Sequence, residues 1–553
     1  MLHPSSPVDP RSAGLARVRR RRPGRLAVAV LLGLVLAACS GDPAPVVQPR
    51  ETVRDGGTLR LAVPALPGSF NPYRAEPFSA VGDLLGPATG SAVQVQPDGS
   101  WEVDPLYAES VEIVGDAPLS VAVRLNPDGV WSDGSPIDAA DMQAFVAAQQ
   151  GAAGQQTTVD GWGVVTEVQA GEDPWSYTVV FAETTADWPA FVYPGLPAEA
   201  TAPDVYNGFV DAAPPGNGPF VVDTIDRESG TVELVRNPQW WGPEPRLDAV
   251  TFTAASSTDR AEAFEAGDLD AVTVDEGTVR AVAEGDDARL LQAPSTDWSQ
   301  LTLNAARGPL SVPEVRRAVA LAVDRDGIVA DTGAALDTEA EAVGSVLLLP
   351  GQRGYRDTAE AALPHDPAEA RRLLEAAGYT RDAAGLAVGG DGVPLTLTMP
   401  VPAGTDPNLR RTRRIADDLA DVGITVDVVE VPAEEFFATV VVPLAFDLVT
   451  FLWDGEAFGL TSATARYAPV DAKENFTGQA DPTVADLGAR LRLTLDPAAR
   501  DDLVAQFDAA VFAAGATVPL AVEPQVLAVA EDVVNLEPRQ FGGADWTSVG
   551  FRG

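Results

Sequence analysis

The chain has 553 residues, of which 46% are hydrophobic and 21% are charged, and its formal net charge is -42 at pH 7. This composition is typical of a folded globular protein, and the length favours more than one domain. The negative charge repels nucleic-acid phosphates and anionic lipid headgroups, so the sequence excludes both classes of partner.

The N-terminal segment predicts export and lipid anchoring. A basic stretch that ends at Arg25 precedes an apolar run, residues 26–36, which at about 1.5 Å per residue is too short to span a bilayer core of ~30 Å. The sequence Leu36-Ala37-Ala38-Cys39 resembles a bacterial lipobox. Residues 1–38 would then be a signal peptide, and Cys39 would carry two or more acyl chains, which give stable anchoring. The alternative is an ordinary signal peptide followed by a buried structural cysteine.

The scarcity of cysteine and histidine limits the chemistry that the chain can perform. Cys39 is the only cysteine, so no intramolecular disulfide can form, and His365 is the only histidine after residue 38. No zinc site of His or Cys ligands can be assembled, and no nucleophilic triad unless His365 serves it. The sequence shows no P-loop or dinucleotide-binding glycine motif. We expect no cofactor, no metal site and no enzyme activity, although an acid-pair hydrolase stays open as the third alternative.

Strand and helix patterns alternate along the rest of the chain. Residues 39–56 are rich in proline and polar residues and predict a tether. Thr58 to Val63 then alternates like a first strand. The further predicted strands are 120–125, 177–181, 220–225, 231–235, 395–399, 424–431 and 447–453.

The clearest helix follows Asp366. This residue can cap the N-terminus, Pro367 suits the first turn, Glu369 can complete a capping box, and Gly378 can end the helix. Other helices are predicted after Asp138, over 257–266 and over 313–329. The mixed order of strands and helices predicts α/β domains, without a short internal repeat.

A series of short motifs then suggests a family. They are Gly56–Arg60, Pro105–Ser110, Val130–Asp141, Gly216–Phe220, Arg236–Gly242, Phe264–Asp270 and Val315–Arg325. In this order they resemble the family 5 extracytoplasmic solute-binding proteins, which are the dipeptide-, oligopeptide- and nickel-binding components of ABC importers. The resemblance covers the chain from Gly56 to about Val529. Each motif also has a structural interpretation, and Trp131, for example, is expected to be a core residue.

The resemblance implies a two-lobed α/β periplasmic-binding-protein fold with an extra third domain and a ligand cleft between the lobes. Mapped onto this sequence, the first lobe is discontinuous and takes residues 57–80, 215–300 and 515–553. The extra domain takes residues 81–214, and the second lobe takes residues 301–514.

The resemblance also implies candidate ligand contacts. Phe70, Asn71 and Tyr73 lie in a loop that faces the cleft in this family, and could offer stacking and amide hydrogen bonds. Two further candidates, Trp298 and Asn304, flank the crossing between the lobes.

In peptide-binding members, a tryptophan followed closely by an aspartate supplies a carboxylate for the α-ammonium group of the peptide. The nearest match is Trp453-Asp454-Gly455-Glu456, where Asp454 is the expected partner and Glu456 is a substitute. Asn475 belongs to a loop, Asn475-Phe476-Thr477-Gly478, that resembles one expected to close over the ligand. The spacing departs from the usual form of the family, so a peptide is one possible ligand among several.

The family implies a lipid-anchored, monomeric binding protein on the extracytoplasmic side of the cell membrane. It would capture a small polar ligand, in particular a peptide, and deliver it to an ABC permease without catalysing a reaction. The alternative is a role in the assembly of cell-envelope glycolipids, as in actinobacterial lipoproteins of the LpqW group, which share the fold. The sequence leaves the ligand, the permease and the choice between these roles open.

Overall fold

A computed structural model describes residues 52–76, 79–157, 161–283, 288–469 and 472–553. The predicted signal peptide, Cys39 and most of the predicted tether lie outside the described residues. The end of the expected tether differs from the prediction, because Val53 and Arg54 pair as a short strand with Arg552 and Phe551. Within the described ranges, no helix combines the length and the apolar character needed to cross a membrane.

The order of elements is that of an α/β protein. The strands, numbered along the chain, are β1 (Val53–Arg54), β2 (Thr58–Val63), β3 (Val93–Val95), β4 (Trp101–Val103), β5 (Ala108–Asp116), β6 (Leu119–Leu125), β7 (Val165–Ala170), β8 (Ser176–Phe181), β9 (Phe220–Asp226), β10 (Thr231–Arg236), β11 (Ala249–Ala254), β12 (Ala271–Val274), β13 (Ala288–Leu303), β14 (Glu341–Ala342), β15 (Thr380–Arg381), β16 (Ala387–Val388), β17 (Thr396–Pro402), β18 (Thr425–Val431), β19 (Leu448–Asp454), β20 (Thr517–Ala530), β21 (Val533–Val534) and β22 (Gly550–Arg552). The helices are α1 (Val81–Leu85), α2 (Ala139–Gln149), α3 (Pro203–Tyr206), α4 (Ser257–Glu265), α5 (Val279–Ala283), α6 (Pro313–Ala322), α7 (Arg325–Ala335), α8 (Ala359–Ala362), α9 (Pro367–Ala376), α10 (Asp406–Asp421), α11 (Ala433–Glu435), α12 (Leu460–Ala465), α13 (Pro482–Leu493) and α14 (Pro497–Ala514).

Two four-stranded sheets lie in the N-terminal half of the described chain, which also contains the short β3–β4 pair. The first has the order β2-β11-β10-β9, with β2 parallel to β11 and the other pairs antiparallel. It buries Leu59, Phe220 and Phe252 in one hydrophobic core. The second sheet has the order β5-β6-β8-β7 and belongs to a separate core, to which α2 contributes Met142 and Phe145.

Two long strands connect the N-terminal cores to the C-terminal one. The central sheet has the order β12-β20-β13-β19, and β13 has 16 residues, which at ~3.3 Å per residue extend over roughly 50 Å. At one end of the β13–β20 pair, Val529 is buried with the first sheet. At the other end, Leu301 and Val518 are buried in the core that holds helices α6, α9 and α14. This paired ribbon is therefore shared by both halves of the molecule.

Local sequence signals explain the ends of several helices. Asp366 caps α9 by accepting hydrogen bonds from the backbone N–H groups of Ala368 and Glu369, and Gly378 follows the helix in the left-handed conformation at φ 93°. The Glu369 carboxylate bonds Arg372 instead of completing the expected capping box. The predicted helix 313–329 is two helices, α6 and α7. The break occurs because the Asp324 side chain accepts the N–H of Gly327 and begins a new helix.

Candidate ligand-binding site

A cavity of ≈ 610 Å³ lies between residues 72–217 and the loop that follows β19. Its volume is in the range of small-molecule sites in proteins. The wall combines aromatic and proline rings with one loop from the C-terminal half of the chain, which contributes Glu456 and Phe458. The aromatic lining residues are Tyr73, Trp131, Trp162, Phe191, Tyr193 and Phe458.

The loop after β2 brings Tyr73 to the cavity. The buried Asn71 side chain holds this loop, because its Oδ1 accepts the N–H of Tyr73 at 3.0 Å and its Nδ2 donates to the carbonyl of Tyr206 at 3.0 Å. The Tyr73 ring meets Phe145 edge-on, with 4.8 Å between ring centroids. Phe70 is buried beneath the guanidinium of Arg227. Of the three residues predicted in this loop, Tyr73 lines the cavity, whereas Phe70 and Asn71 support it from within the core.

A second support comes from the Gly216–Gly218 turn. Asn217 exchanges hydrogen bonds with the backbone of Gly90, accepting its N–H at 2.8 Å and donating to its carbonyl at 3.1 Å. Its Nδ2 also contacts the hydroxyl of Tyr193 at 3.2 Å. A Cβ atom at Gly218 would lie 2.5 Å from the carbonyl carbon of Ala88, so this close approach of two backbones requires glycine. The motif therefore fixes one side of the cavity.

Contacts with core residues hold the rings of the aromatic wall in place. The indole Nε1 of Trp131 donates to the buried carboxylate of Asp141 at 2.9 Å, as expected for a core residue, while the ring also borders the cavity. Trp162 meets Phe145 and Phe191 edge-on, at centroid distances of 5.0 and 5.1 Å. These contacts leave the rings little freedom to move, so the wall is preformed.

Glu456 is the charged residue among the described residues that line the cavity. It lies in the loop between β19 and α12, and its Oε2 is 3.5 Å from the Ser462 hydroxyl. Burial raises the pKa of its carboxyl group, as does the nearby charge of Asp454, whereas Arg466 lowers it. The loop is held against the N-terminal half by the buried Asp187, whose carboxylate accepts the N–H groups of Leu460 and Thr461 at 3.1 and 2.8 Å.

Trp453 and Asp454 lie on β19, beside the cavity and not among its described lining residues. Strand pairing places Trp298 opposite Trp453 and Asp297 opposite Asp454. The Trp453 ring stacks on Phe476 at 5.8 Å, and the Arg466 guanidinium lies 4.3 Å from the Trp453 ring centre. Trp298 is buried in the core.

Asn304 and Asn475 hold loops in place. Asn304 donates to the carbonyls of Leu444 and Phe446 at 3.0 and 3.1 Å, and its Oδ1 accepts the N–H of Ala306. Asn475 donates to the carbonyls of Pro469 and Gln479, both at 3.1 Å. Both side chains are buried, and their role as ligand contacts stays a prediction.

The sequence analysis did not single out Trp162, Phe191, Tyr193 or Phe458 as lining residues. None of them belongs to a motif, and Phe458 is far from the others in sequence. One signal in the sequence could have located part of the cavity wall, namely the position of Glu456 three residues after Trp453. A residue beyond the end of a strand can turn away from the sheet, so the loop that holds Glu456 and Phe458 could have been expected to reach the cavity.

Comparison with known proteins gives consistent matches. The family model for bacterial extracellular solute-binding proteins, family 5 Middle, matches residues 102–468. The oligopeptide-binding protein OppA of Mycobacterium tuberculosis is 32% identical over 520 residues, covering 91% of this chain and 86% of that protein. A protein of the same organism named "Probable monoacyl phosphatidylinositol tetramannoside-binding protein LpqW" is 27% identical over 450 residues, covering 73% of this chain and 70% of its own.

Solved structures show the same fold. The periplasmic EDTA-binding protein EppA superposes with a TM-score of 0.81 at 26% identity, covering 91% of this chain and 98% of its own. The oligopeptide-binding protein AppA of Bacillus subtilis, in complex with a nonapeptide, gives a TM-score of 0.70 at 16% identity, covering 91% of this chain and all of its own, 100%. The predicted two-lobed α/β periplasmic-binding-protein fold is confirmed.

Proposed function

This chain belongs to the bacterial extracellular solute-binding proteins of family 5, and from that premise we propose that it captures short peptides in the cavity beside Glu456 and delivers them to an ABC importer. It is a binding protein and not an enzyme. The observation that carries the proposal is the position of Glu456, a carboxylate in an aromatic cavity whose other described lining residues are uncharged.

Glu456 can receive the α-ammonium group of a peptide. A charge-assisted hydrogen bond of this kind is roughly twice as strong as a neutral one, and it strengthens where water is excluded. Arg466 is near enough to lower the pKa of Glu456, but it forms its ion pair with Glu474, and none of the described arginines forms an ion pair with Glu456. Apart from the Ser462 hydroxyl, the carboxylate can therefore receive a ligand cation. Glu456 thus takes the role that the sequence alone assigns to Asp454.

The cavity favours a short peptide. At ~30 Å³ per water molecule in the liquid, ≈ 610 Å³ corresponds to roughly 20 waters, which is enough for a short peptide of up to about four or five residues. A longer peptide would have to extend beyond the cavity.

We place the protein on the extracytoplasmic face of the membrane, held by a lipid on Cys39. The apolar run before Cys39 supports this location, and the acidic chain resists adsorption to anionic headgroups, which keeps the binding domain free to meet its permease. The protein would act as a monomer.

Thermal unfolding of the full-length protein tests the proposal, since a ligand that binds only the native state raises the unfolding midpoint. Di- and tripeptides are expected to raise it by several degrees, and a phosphatidylinositol mannoside is the comparison. The phosphate of this mannoside is anionic, and Glu456 would repel it if it entered the cavity. Stabilisation by the mannoside and by no peptide would reject peptide capture in favour of the alternative role in glycolipid assembly.

A further inference from the structure

The described residues that line the cavity carry negative charge and no positive charge. Glu456 supplies a negative charge, and among the described lining residues there is no lysine, arginine or histidine. The internal residues that the structure does not describe, 77–78, 158–160, 284–287 and 470–471, include none of these three types either. Among the described residues, any basic side chain near the cavity therefore belongs to a residue that does not line it.

Those neighbouring arginines already have partners. Arg466 lies over the Trp453 ring and donates to the carbonyl of Asp454 at 3.1 Å. Arg74 donates to the carbonyl of Asn207 at 2.7 Å and to the side chain of Gln156 at 3.3 Å. Arg74 would have to give up these contacts to bind a ligand carboxylate. The Nε of Arg466 is buried without a hydrogen-bond partner, but it forms an ion pair with Glu474 at 3.7 Å, and a ligand carboxylate would have to compete with that acid.

Backbone donors near Glu456 are also occupied. The start of a helix is the usual place at which backbone N–H groups bind an anion, and α12 begins immediately after the Glu456 loop. Its N–H groups at Leu460 and Thr461 are bound by Asp187. An internal carboxylate has thus taken the position that a ligand anion would need.

The aromatic wall also favours cationic ligands. Aromatic ring faces carry negative electrostatic potential and attract ammonium and guanidinium groups, most strongly where water is excluded. Six aromatic residues line this cavity together with Glu456. A cation is attracted by both kinds of group, whereas a carboxylate would be desolvated without a partner.

We infer that the cavity selects ligands whose enclosed part carries a net positive charge, with one ammonium group for Glu456, apolar or aromatic groups for the walls, and no carboxylate inside the cavity. This inference rests on the proposed function and narrows its substrate class. Preferred ligands are aromatic amines, peptides with an amidated C-terminus, or peptides whose C-terminus extends outside the cavity. Anionic metal chelates are excluded.

Matched ligand pairs test the inference. Calorimetric titration of the full-length protein would compare di- and tripeptides as free acids and as C-terminal amides, with phenylethylamine as a carboxylate-free amine. We expect the amide of each pair to bind at least about tenfold more tightly, equivalent to ~1.4 kcal/mol. N-acetylation of the amide should abolish this advantage. Equal or tighter binding of the free acids would overturn the inference while leaving peptide capture intact.

Two variants sharpen the test. Glu456→Gln should reduce the affinity for amides and amines much more than for N-acetylated ligands. Ser91→Lys places a cation on the cavity wall and should raise the affinity for free acids relative to amides. If Ser91→Lys does not shift this preference although the protein melts normally, the missing cation does not determine selectivity. Failure of every peptide and amine to bind the parent protein would reject the proposed function itself.

Discussion

The carboxylate of Asp187 accepts a hydrogen bond of 2.8 Å from the backbone N–H of Thr461, 274 residues further along the chain. Its other oxygen accepts the N–H of Leu460 at 3.1 Å. Asp187 therefore joins the aromatic wall around Trp188 and Phe191 to the first turn of α12, next to the Glu456 loop. We expect the position of Glu456, the charged residue of the described cavity lining, to depend on this contact.

We predict that Asp187→Asn weakens ligand binding without direct contact to the ligand. One acceptor oxygen becomes an N–H donor that faces another N–H donor, so the start of α12 should loosen. Ligand affinity should fall about tenfold, equivalent to ~1.4 kcal/mol. Hydrogen exchange should accelerate at residues 456–465 and stay unchanged in α9. Glu183→Gln, an exposed change in the same segment, is the matched control. Unaltered exchange at Leu460 and Thr461 would show that Asp187 does not hold the loop.

The second prediction separates Glu456 from Asp454. Loss of a hydrogen bond to a charged group costs ~1.5–3 kcal/mol, so Glu456→Gln should weaken the binding of an ammonium-bearing ligand by roughly 10- to 150-fold. Asp454→Asn, on the adjacent strand, should change affinity by less than about threefold. Calorimetry on both variants with the same ligand gives the comparison. A larger effect at Asp454 would return the ammonium site to the residue predicted from the sequence.

The difference between these two acids shows which part of the candidate site can be predicted from the sequence. The sequence analysis proposed the segment Trp453-Asp454-Gly455-Glu456 as a ligand site, which stays a prediction, and the choice between its two acids depends on where β19 ends. Asp454 is the last residue of the strand and pairs with Asp297, whereas Glu456 follows the strand and lines the cavity. The end of a strand is set by its partner, here about 150 residues away, and local propensity does not encode it.

Helix α9 was predictable because its signals are local. Asp366, Pro367 and Gly378 act within one helix, and the structure confirms their positions. The long strands β13 and β20 were not predicted, since they contain prolines that interrupt the alternating pattern and their partners are distant in sequence. The cavity is even harder to predict from the sequence. Its walls combine residues from Tyr73 to Phe458, which only tertiary packing brings together.

A third prediction concerns Asn71, which the sequence analysis proposed as a ligand contact. Its amide groups are used by the Tyr73 N–H and the Tyr206 carbonyl, so Asn71→Ala leaves two backbone groups unsatisfied. We expect the free energy of unfolding to fall by about 1–3 kcal/mol in urea denaturation. Affinity should fall only modestly, through movement of Tyr73. A stable variant that no longer binds ligand would identify Asn71 as a direct contact instead.

The last prediction is a pH dependence at the crossing strands. Burial raises the pKa of Asp297 from 3.8 to about 6, and the charges of Asp454 and Glu523 add to this effect. Between these two values the folded protein holds a proton that the unfolded chain has released. The contribution of Asp297 to stability is therefore greatest at low pH and is lost as the pH rises through about 6.

Asp297→Asn removes that titration. It should raise the free energy of unfolding by about 1–3 kcal/mol at about pH 8, where the parent carboxylate is charged, and change it little at about pH 3.5, below both pKa values. Urea denaturation of both proteins at the two pH values measures the difference. Glu265→Gln, an exposed acid at the end of α4, is the control and should show no such change. An Asp297→Asn variant that is equally stable relative to the parent at both pH values would mean that Asp297 is charged throughout, and that its neighbours do not repel it in the folded protein.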